Sequence, residues 1–312
     1  MAEVNAKTTA AKGAAAGDRR YLLGLAGVLL AALAASSAGI LLRQIETADG
    51  WQILFYRSLA FVAVLLVYIC AQRRRDTFSA FLAIGWPGVV VALALGGAFI
   101  AFIFSMLLTT VAQAVLILSA SPFFAALLGL LFLRERVAPV TWISMTVALT
   151  GIGVMMGQDL FFASDSGGVS GGALAGSLVA LAACLGYAAA IVALRAGRRV
   201  DMMPATCLAG VFAGLVCFLL TDDLAISGRD LAFALLLGSA QIGLQYLLIT
   251  LSSHHVPAAQ ITLVMLVEVV LAPLWVWLGV GEAPSSATLI GGAIVVAAVL
   301  AQTLFGLQTP SD

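Results

Sequence analysis

Glu268 is the residue whose type and position point most directly to chemistry. It lies near the middle of an apolar run that covers residues 258–280. A carboxylate at the centre of a bilayer costs about 2.5 to 3.5 kcal/mol even on the lenient insertion scale, so it is tolerated only beside protein, a wet cavity or a partner. Glu268 could therefore bind a substrate ammonium group or a coupling proton. The alternative is a hydrogen-bonded carboxyl group that braces two helices.

Arg57 is the second charged residue inside an apolar run, that of residues 52–70. It lies about six residues from the end of its span, or roughly 9 Å at the helical rise per residue. It could extend to the membrane interface as an anchor, or it could hold a buried carboxylate. If Arg57 and Glu268 both reach one cavity, they would suit the carboxylate and the ammonium of an amino acid. They could equally neutralise each other, and the sequence leaves these alternatives open.

Uncharged polar residues inside apolar runs provide further candidates for substrate binding. Gln113 and Gln260 can each donate and accept hydrogen bonds, so they could bind substrate, close gates on opposite sides or brace neighbouring helices. Gln241 and Gln245 are four residues apart and therefore share one helix face, beside Tyr246. That face either lines a cavity or packs against another helix.

A proline supplies another candidate region. Ser119 and Ser121 flank the kink expected at Pro122, where a lost backbone hydrogen bond frees a carbonyl group. Carbonyls and hydroxyls at a broken helix are usable ligands, so both serines are candidates. Tyr187, at a related depth of another span, is a weaker one.

These residues must be positioned by membrane-spanning helices. Of the 312 residues, 62% are hydrophobic and only 10% are charged, against roughly 25% charged in soluble domains. A span needs about 20 apolar residues. The sequence predicts an all-α integral membrane protein with ten transmembrane helices, at about 21–42, 52–70, 84–107, 112–132, 139–157, 172–194, 203–220, 231–251, 258–280 and 286–307.

The chain is internally duplicated. Residues 112–143 recur weakly as residues 259–290, so that Gln113 corresponds to Gln260. Five spans in each half force the halves to be inverted, which is an architecture of secondary transporters. The predicted organisation is a disordered cytoplasmic tail (1–20), a first five-helix repeat (21–157), a linker (158–171), a second inverted five-helix repeat (172–307) and a cytoplasmic tail (308–312).

Two glutamates at helix ends also recur between the copies. Glu135 corresponds to Glu282, and the repeat places them on opposite faces of the membrane. We expect each to have a structural role, by binding the N-terminus of a neighbouring helix or an arginine.

Loop charges test the span count independently. With a cytoplasmic N-terminus, the outer loops hold only Arg43 and Arg229. The inner loops and the tail hold twelve basic residues: Lys7, Lys12, Arg19, Arg20, Arg73, Arg74, Arg75, Arg134, Arg136, Arg195, Arg198 and Arg199. This asymmetry is the positive-inside pattern, and it predicts a multi-pass protein with both termini in the cytoplasm.

Several function classes lack their characteristic residues. The sequence contains no nucleophile elbow, zinc-protease helix or paired-carboxylate metal site, so an enzyme is not expected. The four cysteines form no CxxC pair, and we expect no metal or other cofactor. Zero net charge argues against nucleic acid as a partner. A channel would favour a ring of charges or a carbonyl filter, and neither pattern is present.

The sequence resembles the EamA-type branch of the drug/metabolite transporter superfamily over residues 21–307. The resemblance rests on Arg57 within the segment 51–60, on Ser121-Pro122 with Ala125, Gly129 and Glu135, and on Glu268-Val269 with Ala272 and Glu282. Val269 stands where this family usually has proline, and Pro273 follows four residues later.

The resemblance implies ten helices in two five-helix repeats around a central cavity, with the fifth and tenth spans peripheral. It also implies export of small organic solutes across a bacterial inner membrane. The sequence is most similar to amino acid exporters, including those for aromatic amino acids. The alternative is an exporter of cationic drugs or other metabolites. The expected partners are a small-molecule substrate and the lipid bilayer, while proton coupling is left open.

Overall fold

A computed structural model describes residues 20–134, 139–161 and 170–306, and these ranges are helical and contain no strand. Ten long helices, which we label α1 to α10, follow one another in the order Arg20–Leu42, Gly50–Arg73, Gly85–Leu108, Val111–Leu133, Pro139–Phe161, Ser170–Ala196, Met203–Leu220, Gly228–Ser252, Ala258–Val280 and Ser286–Gly306. A 3-10 turn (Arg74–Asp76) and a short helix (Thr77–Leu82) join α2 to α3.

Within the described ranges, nine helices are long and apolar enough to cross a membrane. The exception is α5, whose apolar part, Thr141–Gly157, is shorter than the others. The helices begin and end within about one turn of the predicted spans. Helices α5 and α6 extend into the predicted linker, whose residues 162–169 lie outside the described part, as do most of the predicted tails.

Side chains next to the helices explain several of the boundaries. Asp49 and Gln52 form a capping box at the start of α2, in which each side chain bonds the backbone of the other residue. The hydroxyls of Thr110 and Ser227 cap α4 and α8 in the same position. Gly281, with a φ of 75°, ends α9 in the left-handed conformation that glycine adopts without strain.

Two helices are irregular near the middle of the bundle. Helix α4 is interrupted at residues 119–120, and its second segment begins with Pro122 in the first turn, where proline needs no N–H partner. The break therefore lies just before the proline rather than at it. Helix α8 contains a π-helical segment at Leu237–Gly243. Helix α9 continues through Pro273.

Glycines allow the closest helix contacts. Helices α5 and α10 meet through Gly151 and Gly291, where a Cβ on either residue would overlap the carbonyl oxygen of the other. Gly238 of α8 lies against the backbone of Arg57 on α2 in the same way. Small residues of this kind let membrane helices approach closely. Such close packing matters because there is little hydrophobic driving force for helices to associate within lipid.

The bundle has two ends that differ in structure. We call the end formed by loops 43–49, 109–110, 221–227 and 281–285 the closed end. The opposite end, which includes loops 74–84, 197–202 and 253–257, is called the open end. At the closed end, apolar side chains that include Leu42, Ile53, Ile103, Met106 and Val111 are almost completely buried.

We expect Gly238→Ala to destabilise the protein. The added Cβ would overlap the Arg57 carbonyl oxygen, which is backbone and cannot rotate away. Overpacking of this kind typically costs about 1–3 kcal/mol, so the thermal midpoint of the purified protein in detergent should fall. Gly153→Ala in α5 is the control, because a Cβ there meets open space. An unchanged midpoint for Gly238→Ala would contradict this account of the α2–α8 contact.

Candidate functional site

A cavity of about 370 Å³ lies inside the bundle, within the size range of small-molecule sites. Helices α2, α3, α4, α6, α8 and α9 surround it, and α10 contributes Val299. Its polar and charged lining residues are Arg57, Ser119, Ser121, Tyr187, Gln241, Gln245, Tyr246, Thr250, Thr262 and Glu268. The cavity thus brings together eight of the ten residues that the sequence put forward, and it adds Thr250 and Thr262.

Arg57 is enclosed at the inner wall of this cavity. Its side chain is 2% exposed, and its Nε atom has no hydrogen-bond partner. The guanidinium carbon lies 5.5 Å from the centre of the Phe99 ring, a distance at which the ring face attracts a cation. A ring compensates a buried charge far less than a carboxylate does, so Arg57 retains the capacity to bind an anion.

Glu268 lies on a different wall, near the middle of α9. Among the residues that the structure describes, no hydrogen bond or ion pair is made to its carboxylate. Tyr187 and Tyr246 line the same cavity as Arg57 and Glu268. Both tyrosine rings also contact Phe99, at centroid distances of 6.0 and 6.2 Å. The two charged groups therefore face one polar space without forming an ion pair.

The π-helical segment of α8 presents Gln241 to the cavity. Segments of this kind occur frequently at functional sites. Gln241 is 4% exposed, and its Nε2 donates a long hydrogen bond of 3.5 Å to the carbonyl of Ala35 on α1. Its Oε1 atom is buried and accepts no hydrogen bond. Gln245 lies one turn further along the same helix and also lines the cavity.

The break in α4 places Ser119 and Ser121 on the cavity wall. The hydroxyl of Ser119 donates a 2.7 Å hydrogen bond to the Leu116 carbonyl, which lies in the first segment of the same helix. Each serine is half-buried, so the hydroxyl oxygens are within reach of a bound molecule.

Gln113 and Gln260 do not line the cavity. Gln113 is buried, and its Nε2 donates a 2.6 Å hydrogen bond to the Ser177 hydroxyl on α6. The Oε1 of Gln260 accepts a 2.8 Å hydrogen bond from the hydroxyl of Tyr21 on α1. Each repeat-matched glutamine therefore joins the fourth helix of one repeat to the first helix of the other.

Helices α1 and α9 run parallel and remain in register along most of their length. Among the described residues, three side-chain hydrogen bonds connect these helices or the loop residues that follow them, and each joins residues that are 239 positions apart: Tyr21 with Gln260, Ser36 with Trp275, and Arg43 with Glu282. The constant separation shows that the two helices keep the same register from one end of the bundle to the other.

Polar contacts cross the closed end above the cavity. The Oε2 of Glu282 accepts a 2.7 Å hydrogen bond from Arg43, and its Oε1 accepts one of 2.8 Å from the first backbone N–H of α4. This confirms the predicted role for Glu282, whereas Glu135 lies outside the described residues. The carboxylate of Asp230 accepts backbone N–H bonds from Glu46, Thr47 and Ala48.

Asp230 is not among the residues that the sequence put forward. It is 1% exposed and fixes the α1–α2 loop to the start of α8. Its place three residues after the cap Ser227 was a visible signal, because the helix dipole stabilises an acidic residue in the first turn.

The cavity is open towards the other end of the bundle. Its lining continues along Tyr246, Ile249 and Thr250 to the end of α8, and along Met265 and the exposed Thr262 to the start of α9. A second depression of about 440 Å³, between α3, α4 and α6, has an apolar lining apart from the indole of Trp86 and lies on the outer surface of the bundle. The charged cavity is therefore the candidate site.

Comparison with known proteins agrees with this architecture. A model of the EamA-like transporter family matches residues 22–157 and again residues 174–303. The chain belongs to the EamA-like transporter family. The double match reproduces the two repeats seen in the sequence, and the family marks the chain as a transporter rather than an enzyme.

Two similar proteins are named Pseudopaline exporter CntI, from Pseudomonas aeruginosa strains PAO1 and UCBPP-PA14. Each is 27% identical over 283 residues, which cover 88% of this chain and 95% of the relative. A solved crystal structure has a similar fold, with a TM-score of 0.62 and 20% identity, covering 94% of this chain and 99% of the other. The relatives indicate a multi-pass membrane exporter of small metabolites.

We expect Glu282→Gln to weaken the closed end, because it removes the charge that Arg43 and the α4 N-terminus bind. Val115 lines the cavity and is 4% exposed, so a cysteine at this position in a cysteine-free background reports access from that side. An impermeant maleimide supplied at the closed end should modify it severalfold faster in Glu282→Gln.

The control for this measurement is Glu46→Gln. Glu46 also pairs with an arginine, Arg229, but both side chains are more than half exposed, and exposed pairs contribute little. An equal rate in Glu282→Gln and its parent would show that the Glu282 contacts do not hold the closed end shut.

Proposed function

We propose that this transporter exports small zwitterionic metabolites, above all amino acids, including aromatic ones. The observation that carries the proposal is that two ionisable side chains of opposite type, Arg57 and Glu268, line one cavity without forming an ion pair with each other. Arg57 binds the substrate carboxylate and Glu268 binds its ammonium group. A substrate with both charges compensates both buried groups at once, whereas water or a singly charged solute leaves one of them without a counter-charge.

The remaining lining suits the side chain of an amino acid. Apolar residues surround the polar part of the cavity towards the open end, among them Ile191, Met265, Leu266 and Val299. Tyr187 and Tyr246 add aromatic surface near the charged groups. Since apolar surface gains free energy when it leaves water, larger apolar side chains should bind more tightly, and this favours aromatic substrates.

Transport follows from alternating exposure of this cavity. In the predicted ten-span topology the open end faces the cytoplasm, so the structure corresponds to a state that loads substrate from inside a bacterial cell. Export then requires the closed-end contacts of Arg43, Glu282 and Asp230 to open while the other end closes. In inverted-repeat transporters the two halves rock around a fixed central site. Coupling to protons, with Glu268 as the carrier, stays a prediction.

A second candidate is export of a different metabolite or of a cationic compound. The name of the similar exporters from Pseudomonas aeruginosa supports a metabolite other than a simple amino acid. A purely cationic substrate would use Glu268 and the tyrosines, and it would not require Arg57. Charge-neutralising variants therefore distinguish the two candidates.

We expect Arg57→Leu and Glu268→Gln each to lower amino acid counterflow in proteoliposomes by at least about tenfold, because each leaves one substrate charge buried without a partner. Arg73→Gln is the matched control: Arg73 is an arginine at the end of the same helix, but it pairs with Asp201 in a solvent-exposed position at the open end. Full activity in both cavity variants would contradict the paired-charge site. Loss in Glu268→Gln alone, with a cationic substrate, would favour the second candidate.

A further inference from the structure

Two buried polar atoms in the cavity wall lack hydrogen-bond partners, and they are of opposite kinds. The Nε of Arg57 is a donor, and the Oε1 of Gln241 is an acceptor. Among the side-chain atoms that the structure describes, these two alone are buried without a hydrogen bond. An unsatisfied buried group typically costs about 1–3 kcal/mol, and such groups in a cavity indicate what a ligand must supply.

The orientation of the Gln241 amide is set by its surroundings. The Ala35 carbonyl can only accept a hydrogen bond, so the nitrogen of the amide must be the atom that faces it. The oxygen is consequently the free atom. The backbone of α8 touches that of Arg57 at Gly238, within one turn of Gln241. The free donor and the free acceptor therefore lie on two helices that touch beside the cavity, and both residues line it.

A ligand that satisfies both atoms must accept a hydrogen bond from Arg57 and donate one to Gln241. A plain carboxylate satisfies Arg57 but leaves the Gln241 oxygen unpaired. An α-amino carboxylate satisfies both, since one carbon atom joins its carboxylate to its ammonium group. The ammonium has three N–H donors, so it can bond the Gln241 oxygen and still pair with Glu268.

We infer that Gln241 determines specificity for α-amino acids by accepting a hydrogen bond from the substrate ammonium group beside the carboxylate that Arg57 holds. This inference rests on the proposed function. It assigns the recognition of the amino group to an uncharged residue, in addition to the charge of Glu268. The transporter should therefore distinguish an amino acid from the same acid without its amino group, and that discrimination should depend on Gln241.

The test compares two competitors of labelled phenylalanine in counterflow: unlabelled phenylalanine and 3-phenylpropionate, which keeps the carboxylate and the ring but lacks the ammonium. In the unchanged protein, the concentration of 3-phenylpropionate needed for competition should be at least about tenfold higher than that of phenylalanine. The first concentration divided by the second is the discrimination ratio. In Gln241→Met, which keeps the size of the side chain but removes the amide oxygen, that ratio should fall severalfold. The fall should come from weaker competition by phenylalanine alone.

Ser239→Ala is the matched control. Ser239 lies in the same π-helical segment, but its hydroxyl bonds the Leu235 carbonyl and it does not line the cavity. Its ratio should equal that of the parent. If Gln241→Met transports too slowly, the same ratio can be read from the stabilisation that each ligand gives to the purified variant.

Three other outcomes would contradict the inference, each for a different reason. An unchanged ratio in Gln241→Met, with both competitors weakened equally, would show that Gln241 only supports Arg57. A ratio near one between the two competitors in the unchanged protein would show that the amino group is not recognised at all. If the parent exchanges no amino acid, the proposed function fails, and the inference that rests on it fails with it.

Discussion

A guanidinium group enclosed in an apolar bundle is the constraint on which the rest of this structure depends. Arg57 is 2% exposed, and among the described residues its charge is approached by the Phe99 ring rather than paired with a carboxylate. Glu268 faces the same space, yet the two groups do not pair. Two charges that could neutralise each other but remain apart are costly to maintain. The proposed site, which binds opposite charges of one ligand, requires both.

The same constraint explains how the helices are built around the cavity. The π-helical segment of α8 and the break in α4 present side chains that regular helices would turn elsewhere. Gly238 brings α8 against α2 beside Arg57. Contacts between the repeats then position the walls: α1 pairs with α9, and α4 pairs with α6 through Gln113. Because each such pair joins one helix from each repeat, movement of either repeat must change the shape of the cavity.

Much of the fold could be predicted from the sequence because a membrane imposes simple rules. Span length, the recurrence of Gln113 as Gln260, and the charges of the loops locate the helices to within about one turn. The recurrence of Glu135 as Glu282 correctly pointed to an arginine and a helix N-terminus as partners for Glu282. Each of these signals is local or periodic, so a single sequence contains it.

The details of the site depend on contacts between distant helices, which a single sequence does not contain. The sequence could not tell whether Arg57 reaches the interface or the interior, and the structure places it in the cavity wall. It could not show that Gln113 and Gln260 bond other helices while Gln241 keeps a free oxygen. The role of Asp230 depends on a loop that is more than 180 residues away in the chain.

The central claim is that the cavity binds a carboxylate and an ammonium group together. The most direct measurement is the affinity of the purified transporter for phenylalanine, phenylalanine methyl ester and N-acetylphenylalanine. Each blocked form should bind at least about tenfold more weakly than phenylalanine, because the methyl ester offers Arg57 no carboxylate and the N-acetyl form offers Glu268 and Gln241 no ammonium group. Equal affinity for phenylalanine methyl ester and phenylalanine would contradict the paired-charge site and would indicate a site for cations.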